Sequence, residues 1–280
     1  MEISGSKALV TGAASGIGRA LSIRMAAAGA RLFLTDINAS GLEQTCSMVR
    51  DQGGEVLISR QLDVGDFSGM KDLADTIHAS YGPLDILLNV AGIAIFSQVE
   101  DMRHDDWERI MRINLWGPVH GIECFVPGMI RAKRPGHIVT VASTAGIIAL
   151  PWQAAYSGTK HALVGISESL RCDLKKHGIG VTVVCPGAVN TGLVRTAEVQ
   201  ADRETVERFR RLFIKIAVPP EKVADLTMEA IRKNRFLVLT STDIRALYLL
   251  KRWLPPAYRL LMQLMTGIMD RALKHRSKAR

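Results

Sequence analysis

The chain has 280 residues, is 48% hydrophobic, and carries a formal net charge of +9. That length and apolar content suit one domain with a sizeable core, and no linker-like or low-complexity stretch divides it. The four cysteines (Cys46, Cys124, Cys172, Cys185) are far apart with no Cys-x-x-Cys pair, which argues against a disulfide framework and for reduced thiols in a cytoplasmic protein. Nine Lys/Arg and two acids fall in residues 241–280, a net +7, so residues 1–240 are close to neutral. A basic tail on a near-neutral body points to a surface or a protein partner and away from nucleic acid.

Taken in chain order, strand and helix signals alternate. The first apolar run begins at Lys7, which leaves no room for a signal peptide, and no run is long enough to span a bilayer. Ala8–Val10 meets a glycine-rich turn, and Arg19–Ala28 reads as an Ala-rich helix closed by Gly29. Arg31–Thr35 reads as a strand ending at Asp36, and Ser40–Gln52 as a helix stopped by Gly53-Gly54. Val56–Leu62 is a strand followed by Asp63, Phe67–Ser80 a helix, and Leu84–Leu88 a strand running into Asn89-Val90-Ala91-Gly92. The helical stretch Asp105–Ala132 contains Gly117-Pro118, where a kink or a division is predicted. His137–Ala142 is a strand ending at Ser143, and Tyr156–His177 a helix with Leu163, Ile166, Leu170 and Leu174 on one stripe. Val181–Cys185 is a strand stopped by Pro186-Gly187. Arg203–Lys215 and Glu221–Asn234 are predicted helices, and Phe236–Thr240 the seventh strand.

Continuously apolar strands alternating with helices imply the α/β class, with a doubly wound seven-stranded parallel sheet flanked by helices. In such sheets ligands bind beyond the carboxyl ends of the strands, and Gly12, Asp36, Asp63, Asn89, Ser143 and Pro186 each follow one. The segment Thr11-Gly12-Ala13-Ala14-Ser15-Gly16-Ile17-Gly18 lies between a strand and a helix. Its glycines let the backbone approach a pyrophosphate, which the helix N-terminus attracts. Asp36, roughly twenty residues on, is placed to accept hydrogen bonds from ribose hydroxyls. It would repel a 2′-phosphate, no arginine adjoins it, and Ser15 is uncharged, so NAD(H) is predicted over NADP(H).

Tyr156 and Lys160 are four residues apart, one helical turn, so phenol and ammonium share a face. A cation beside a phenol favours the phenolate, and Lys160 is predicted to draw the Tyr156 pKa below its usual value of about 10. Such a phenol beside a nicotinamide can move a proton while a hydride moves. The seven histidines are scattered with no His-x-x-x-His, so no metal site is predicted. His161 reads as an interfacial or core residue, and Trp107 and Trp116 as helix-packing residues. No Gly-x-Ser-x-Gly elbow suggests a hydrolase.

Across roughly residues 4–240 these motifs, in this order, resemble the short-chain dehydrogenase/reductase family, whose fold is a Rossmann-type sheet. The family's Thr-Gly-x-x-x-Gly-x-Gly pattern is complete at 11–18, its acidic adenine contact matches Asp63-Val64, and its Asn-x-Ala-Gly matches 89–92, with Val90 where the family usually has Asn. The resemblance implies Asn114, Ser143, Tyr156 and Lys160 as the catalytic set. It implies Gly12, Ser15, Gly16, Ile17, Gly18, Asp36, Asp63, Val64, Asn89, Ala91, Gly92, Tyr156, Lys160, Pro186, Gly187, Val189 and Thr191 as the cofactor contacts. Tyr156 would be the acid/base, Ser143 would hydrogen-bond the substrate oxygen, Lys160 would tune the phenol and hold the ribose, and Asn114 would hold a water that relays a proton from Lys160. A homodimer or homotetramer is expected.

The apolar residues Ile93, Ile95, Phe96, Ile147, Ile148, Leu150, Trp152, Leu193 and Val194 are expected to line the mouth or to belong to the core. The first reading predicts a lipophilic alcohol or ketone. Arg195–Lys215 is expected to form a lid. Residues 241–280 form a separate C-terminal extension with helices over Ile244–Leu254 and Ala257–Leu273, split by Pro255-Pro256. Its apolar stripe suits three settings: its own domain, a second subunit, or an anionic membrane surface. Two functions follow: an NAD-dependent alcohol dehydrogenase or carbonyl reductase, or an NAD-binding redox-reporting scaffold recruited through the basic tail.

Overall fold

The computed structural model describes residues 1–191, 198–199, 206–207 and 217–273. Seven strands form one all-parallel sheet: β1 (Lys7–Thr11), β2 (Arg31–Asp36), β3 (Glu55–Gln61), β4 (Ile86–Asn89), β6 (Gly136–Val141), β7 (Ile179–Cys185) and β9 (Leu237–Leu239). Their order is β3-β2-β1-β4-β6-β7-β9. The progression reverses between β1 and β4, which opens a crevice at the carboxyl ends of those two strands. β4 and β6 are buried along their whole length and β1 from Ala8 onward, as apolar runs without polar alternation require, whereas β3 at the edge is partly exposed.

The helices cover both faces. Successive side chains of one strand point to opposite sides. Thus Ala8 and Val10 join Leu21 and Met25 of α1 (Gly16–Ala27), Val49 of α2 (Ala39–Asp51) and Ile231 of α7 (Pro220–Arg232). Leu9 between them joins Leu73 of α3 (Phe67–Tyr81) and Phe125 of α5 (Gly117–Arg131) on the other face. The sheet also packs α6 (Ala154–Leu174).

Two features add to the sequence reading. The helical stretch is divided at Gly117-Pro118: α4 (His104–Met111) passes into five residues of π-helix, Arg112–Trp116, and α5 begins at Gly117 with Pro118 in its first turn. Pro118 has no N–H to return to the preceding turn, and the irregularity falls on that turn, which contains Asn114. A second sheet pairs the two-residue strands β5 (Ile95–Phe96) and β8 (Glu198–Val199), too short to leave a period in the sequence. Most of Arg195–Lys215, including the predicted lid and the Arg203–Lys215 helix, lies outside the described residues, as do Leu193 and Val194.

The extension beyond β9 is two helices, α8 (Thr242–Trp253) and α9 (Pro255–Leu273), divided at the expected prolines. Their Ile244 and Tyr258 are buried in one cluster with Ala142, Ile148, Leu163 and Val183, so the extension packs on its own α/β body.

Helix α1 lies so close to the turn after β1 that a Cβ on Gly18 would come within 1.9 Å of the Gly12 carbonyl oxygen. Gly18→Ala is expected to destabilise the fold by on the order of 2–3 kcal/mol in urea unfolding. Gly158→Ala, exposed on α6 with open space around it, should be neutral or slightly stabilising by the same measurement.

Candidate active site

A cavity of about 630 Å³ opens at the carboxyl ends of the sheet. One end is the turn after β1. Gly12 has φ +68, and a Cβ there would lie 2.8 Å from the backbone of Ala91 after β4, so two strand ends meet at a distance only glycine permits. Thr11 fixes this junction: its Oγ1 accepts from the Val90 N–H (3.0 Å) and the Ala91 N–H (3.2 Å). Ser15 stands at the N-cap of α1 without a side-chain cap bond, and the first turn holds no acid, so its N-terminal N–H groups face the cavity without a protein anion on them. Thr191 comes back over this turn, against Gly16.

Asp36 ends β2 at the cavity wall. Its Oδ2 accepts from the Ala14 N–H (2.9 Å) and its Oδ1 from the Asn38 N–H (2.9 Å), which fixes the carboxylate while leaving lone pairs for a ligand. Arg19 of α1 is turned away onto Thr45 Oγ1 (3.0 Å) and the carbonyls of Ala14 and Gly41. Asp63 lines the same end, with Oδ1 on the Gly65 N–H (2.8 Å) and Oδ2 on Arg112 (2.8 Å).

The other end is built on α6. Tyr156 and Lys160 are both buried on its inner face, 8% and 4% exposed, with the ammonium 5.6 Å from the centre of the phenol ring. Lys160 Nζ donates to the Val141 carbonyl at the end of β6 (3.0 Å). The next turn packs against α6 so tightly that a Cβ on Gly146 would meet the Lys160 carbonyl at 2.5 Å. That turn carries Ser143, whose Oγ accepts from the Ala145 N–H (3.1 Å) and whose side chain hydrogen-bonds the Tyr156 phenol.

Burial sets the electrostatics here. It pushes the Tyr156 phenol above its ordinary pKa, and the Ser143 hydrogen bond pulls the other way. Burial also pulls the Lys160 ammonium down to about 8. The sequence reading, in which Lys160 draws the phenol down, omitted the cost of burying the phenolate itself, and that cost is the larger effect among the protein's own groups.

The cavity brings together Gly12, Ser15, Gly16, Ile17, Gly18, Asp36, Asp63, Val64, Ala91, Gly92, Ser143, Tyr156, Lys160, Pro186, Gly187, Val189 and Thr191. Two predicted residues stand behind its wall. Asn89 is buried with its Nδ2 towards the Pro118 carbonyl (3.4 Å). Asn114 is engaged on Ile93, with Oδ1 accepting from its N–H (2.8 Å) and Nδ2 donating to its carbonyl (2.9 Å). The Asn114 amide therefore shapes the backbone beside Gly92, where a Cβ would lie 3.1 Å from Asn114 Oδ1 and 3.6 Å from Lys160 Nζ.

Of the apolar residues expected at the mouth, Ile93, Phe96 and Leu150 line the cavity. Ile95, Ile147 and Ile148 are core residues, and the Trp152 carbonyl accepts from the Ser97 N–H (2.9 Å). The sequence reading missed the contribution of the C-terminal extension: Ser241, Asp243, Ile244, Leu247 and Met265 all line the cavity. Lys251 of α8 secures that wall, donating to the Ile147 carbonyl (2.7 Å) and lying 3.3 Å from His161 Nε2 on α6, next to Lys160. The amphipathic stripe was visible in the sequence, but nothing local says which surface it covers.

The profile of the short chain dehydrogenase family matches residues 6–202. SadH of Mycobacterium tuberculosis is 35% identical over 262 residues, covering 92% of this chain and 94% of its own. The 1-deoxy-11-beta-hydroxypentalenate dehydrogenase of Streptomyces avermitilis is 33% identical over 247 residues, 87% of either chain. Among solved structures, a short-chain dehydrogenase/reductase from Burkholderia phymatum in complex with NAD superposes with a TM-score of 0.83 at 32% identity, covering 90% of this chain and 94% of that one. With its strand-end glycine turn, its buried Tyr156–Lys160 pair and these relatives, the chain belongs to the short-chain dehydrogenase/reductase family of oxidoreductases.

Proposed function

We propose that the protein is an NAD(H)-dependent oxidoreductase that interconverts a secondary alcohol and a ketone on a lipophilic substrate. The observation that carries this reading is the placement of Tyr156, Lys160 and Ser143 in one cavity with the uncapped N-terminus of α1 and its glycine turn. That turn is a cradle a Cβ would fill at Gly12 and Gly18, which fits a pyrophosphate approaching the backbone. Asp36 and Asp63 would hold the adenosine half, and Pro186, Gly187, Val189 and Thr191 the nicotinamide half. Asp36 supports NAD(H) over NADP(H), because a 2′-phosphate would meet its carboxylate while Arg19 faces elsewhere.

A bound nicotinamide supplies the hydride chemistry. Tyr156 holds the proton that the substrate oxygen gains or loses, and Ser143 hydrogen-bonds both the phenol and that oxygen as charge develops. A phenol raised by burial is protonated at neutral pH, which suits donation to a carbonyl. In alcohol oxidation the phenol must give up that proton, and the Ser143 hydrogen bond favours the phenolate. Lys160 would hold the ribose hydroxyls. Apolar Ile93, Phe96, Leu150, Leu247 and Met265 support a lipophilic substrate, as do relatives named for a hydroxypentalenate and for CLA biosynthesis. A structural neighbour named levodione reductase, 26% identical, is consistent with reduction as well as oxidation. A cytoplasmic homo-oligomer completes the proposal; no helix among the described residues is long and apolar enough to cross a membrane.

Lys160 has a stability consequence with a definite sign. In the unfolded chain its ammonium titrates at its ordinary 10.5, and in the fold at about 8. Between those values the unfolded state binds more protons, so this group's contribution to stability rises with pH. Below pH 8 the fold carries the full penalty of a buried cation, on the order of 3 kcal/mol.

Three outcomes follow. Tyr156→Phe should reduce turnover of secondary alcohols and ketones by at least about a thousandfold, with NADH affinity by fluorescence titration nearly unchanged; full activity would refute the reading. NADH should bind more tightly than NADPH, and Asp36→Ala should narrow the gap; tighter NADPH binding by the wild-type chain would overturn the assignment of Asp36. Lys160→Met should stabilise the cofactor-free protein at pH 7, and its margin over wild type should shrink as pH rises from 8 towards 10.5, read by urea unfolding across the pH series.

A further inference from the structure

The helices α8 and α9 are apolar on two faces. The inner face carries Ile244, Leu247, Tyr258 and Met262 into the body. The outer face exposes Leu249 (45%), Trp253 (74%), Leu254 (58%), Leu260 (60%) and Leu264 (59%). These are five of the eleven exposed large apolar side chains among the described residues, gathered on one helix pair, where singly scattered ones would need no explanation. Leu249 and Trp253 are four apart on α8, and Leu260 and Leu264 four apart on α9, so each pair forms a stripe pointing away from the body.

Charge distinguishes what covers such a surface. Arg245, Arg252 and Arg259 are exposed beside these stripes and form no ion pair with any described acid. Residues 241–280 hold nine Lys/Arg against two acids, a net +7, while residues 1–240 carry only +2. A second copy of the chain laid on this face would bring two such basic surfaces together. An anionic lipid surface offers both what the leucines and tryptophan need and what the arginines need.

We propose that α8 and α9 are a membrane-docking element, and that their outer face seats the protein on anionic bilayers with Trp253, Leu260 and Leu264 in the acyl boundary and Arg245, Arg252 and Arg259 at the headgroups. Leu247 and Met265 of the same two helices line the cavity, so a docked protein has that wall next to lipid. This last step alone rests on the lipophilic substrate proposed above; docking does not, and its test reads binding, not turnover.

The test is co-sedimentation of the full chain with vesicles of phosphatidylcholine alone and of phosphatidylcholine with about one-third phosphatidylglycerol, at low and near-physiological salt. Binding is expected only to the anionic vesicles and should weaken with salt. Arg245→Gln, Arg252→Gln and Arg259→Gln should each weaken it by about fivefold. Leu260→Gln combined with Leu264→Gln should abolish it, with circular dichroism confirming an intact fold. The proposal is overturned by absence of binding to anionic vesicles, or by binding that survives the paired leucine substitutions. It is also overturned if those substitutions split a homodimer into monomers in light scattering, since a second copy would then cover the face.

Discussion

Keeping the Lys160 ammonium out of water is the demand around which the rest of the site is arranged. Four per cent of the residue is exposed, and its Nζ donates to the Val141 carbonyl at the end of β6. An ion moved from water into a protein interior loses several kcal/mol of hydration, which one neutral carbonyl returns only in part. The depressed pKa expresses that debt. It is sustained because α6 cannot shift: Gly146 holds its backbone against the turn after β6, Lys251 ties His161 to the Ile147 carbonyl, and the cluster of Leu163 with Ile148 and Ile244 fills the space beneath. A position costly for stability and well braced is characteristic of a place used for chemistry.

The same economy of space governs the opposite end of the cavity. Gly12 against Ala91, and Gly18 against Gly12, leave no room for side chains. This closeness brings the turn after β1 and the segment after β4 to one crevice, at the point where the strand order reverses. A single threonine holds the two strand ends in register by accepting from both Val90 and Ala91. The backbone itself forms the cavity wall there, and the uncapped α1 supplies its polarity. Precise strand packing and anion affinity are therefore one property of the turn.

The C-terminal extension adds a wall to this framework. It shares a buried cluster with the body, and Leu247 and Met265 complete a cavity that the α/β core alone would leave open. Lys251 couples it mechanically to the turn that carries Ser143, through Ile147 four residues further on. The same two helices thus line the cavity and brace the turn that carries Ser143.

How much of this was legible in the sequence depends on the range of the interaction concerned. The alternation of strands and helices, the placement of Gly12, Asp36, Asp63 and Ser143 after strands, and the shared face of Tyr156 and Lys160 follow from local periodicity and chain geometry, and the structure has them where the periodicity puts them. Other features depend on what lies across the packing. Ile147, Ile148 and Leu150 are alike in sequence, yet the first two are buried in the core and the third lines the cavity, which depends on what the fold packs around each. Asn114 looked like a residue inside a kinked helix; only the fold shows its amide engaged on Ile93 from a π-turn. The sequence shows the phenol's charged neighbour but not its desolvation, and desolvation sets the direction of its shift. Sequence by itself determined the elements and the chemistry their ends carry, since both arise within a few residues. Tertiary structure decided burial, the tail's two faces and the electrostatics, since each depends on which distant atoms exclude water.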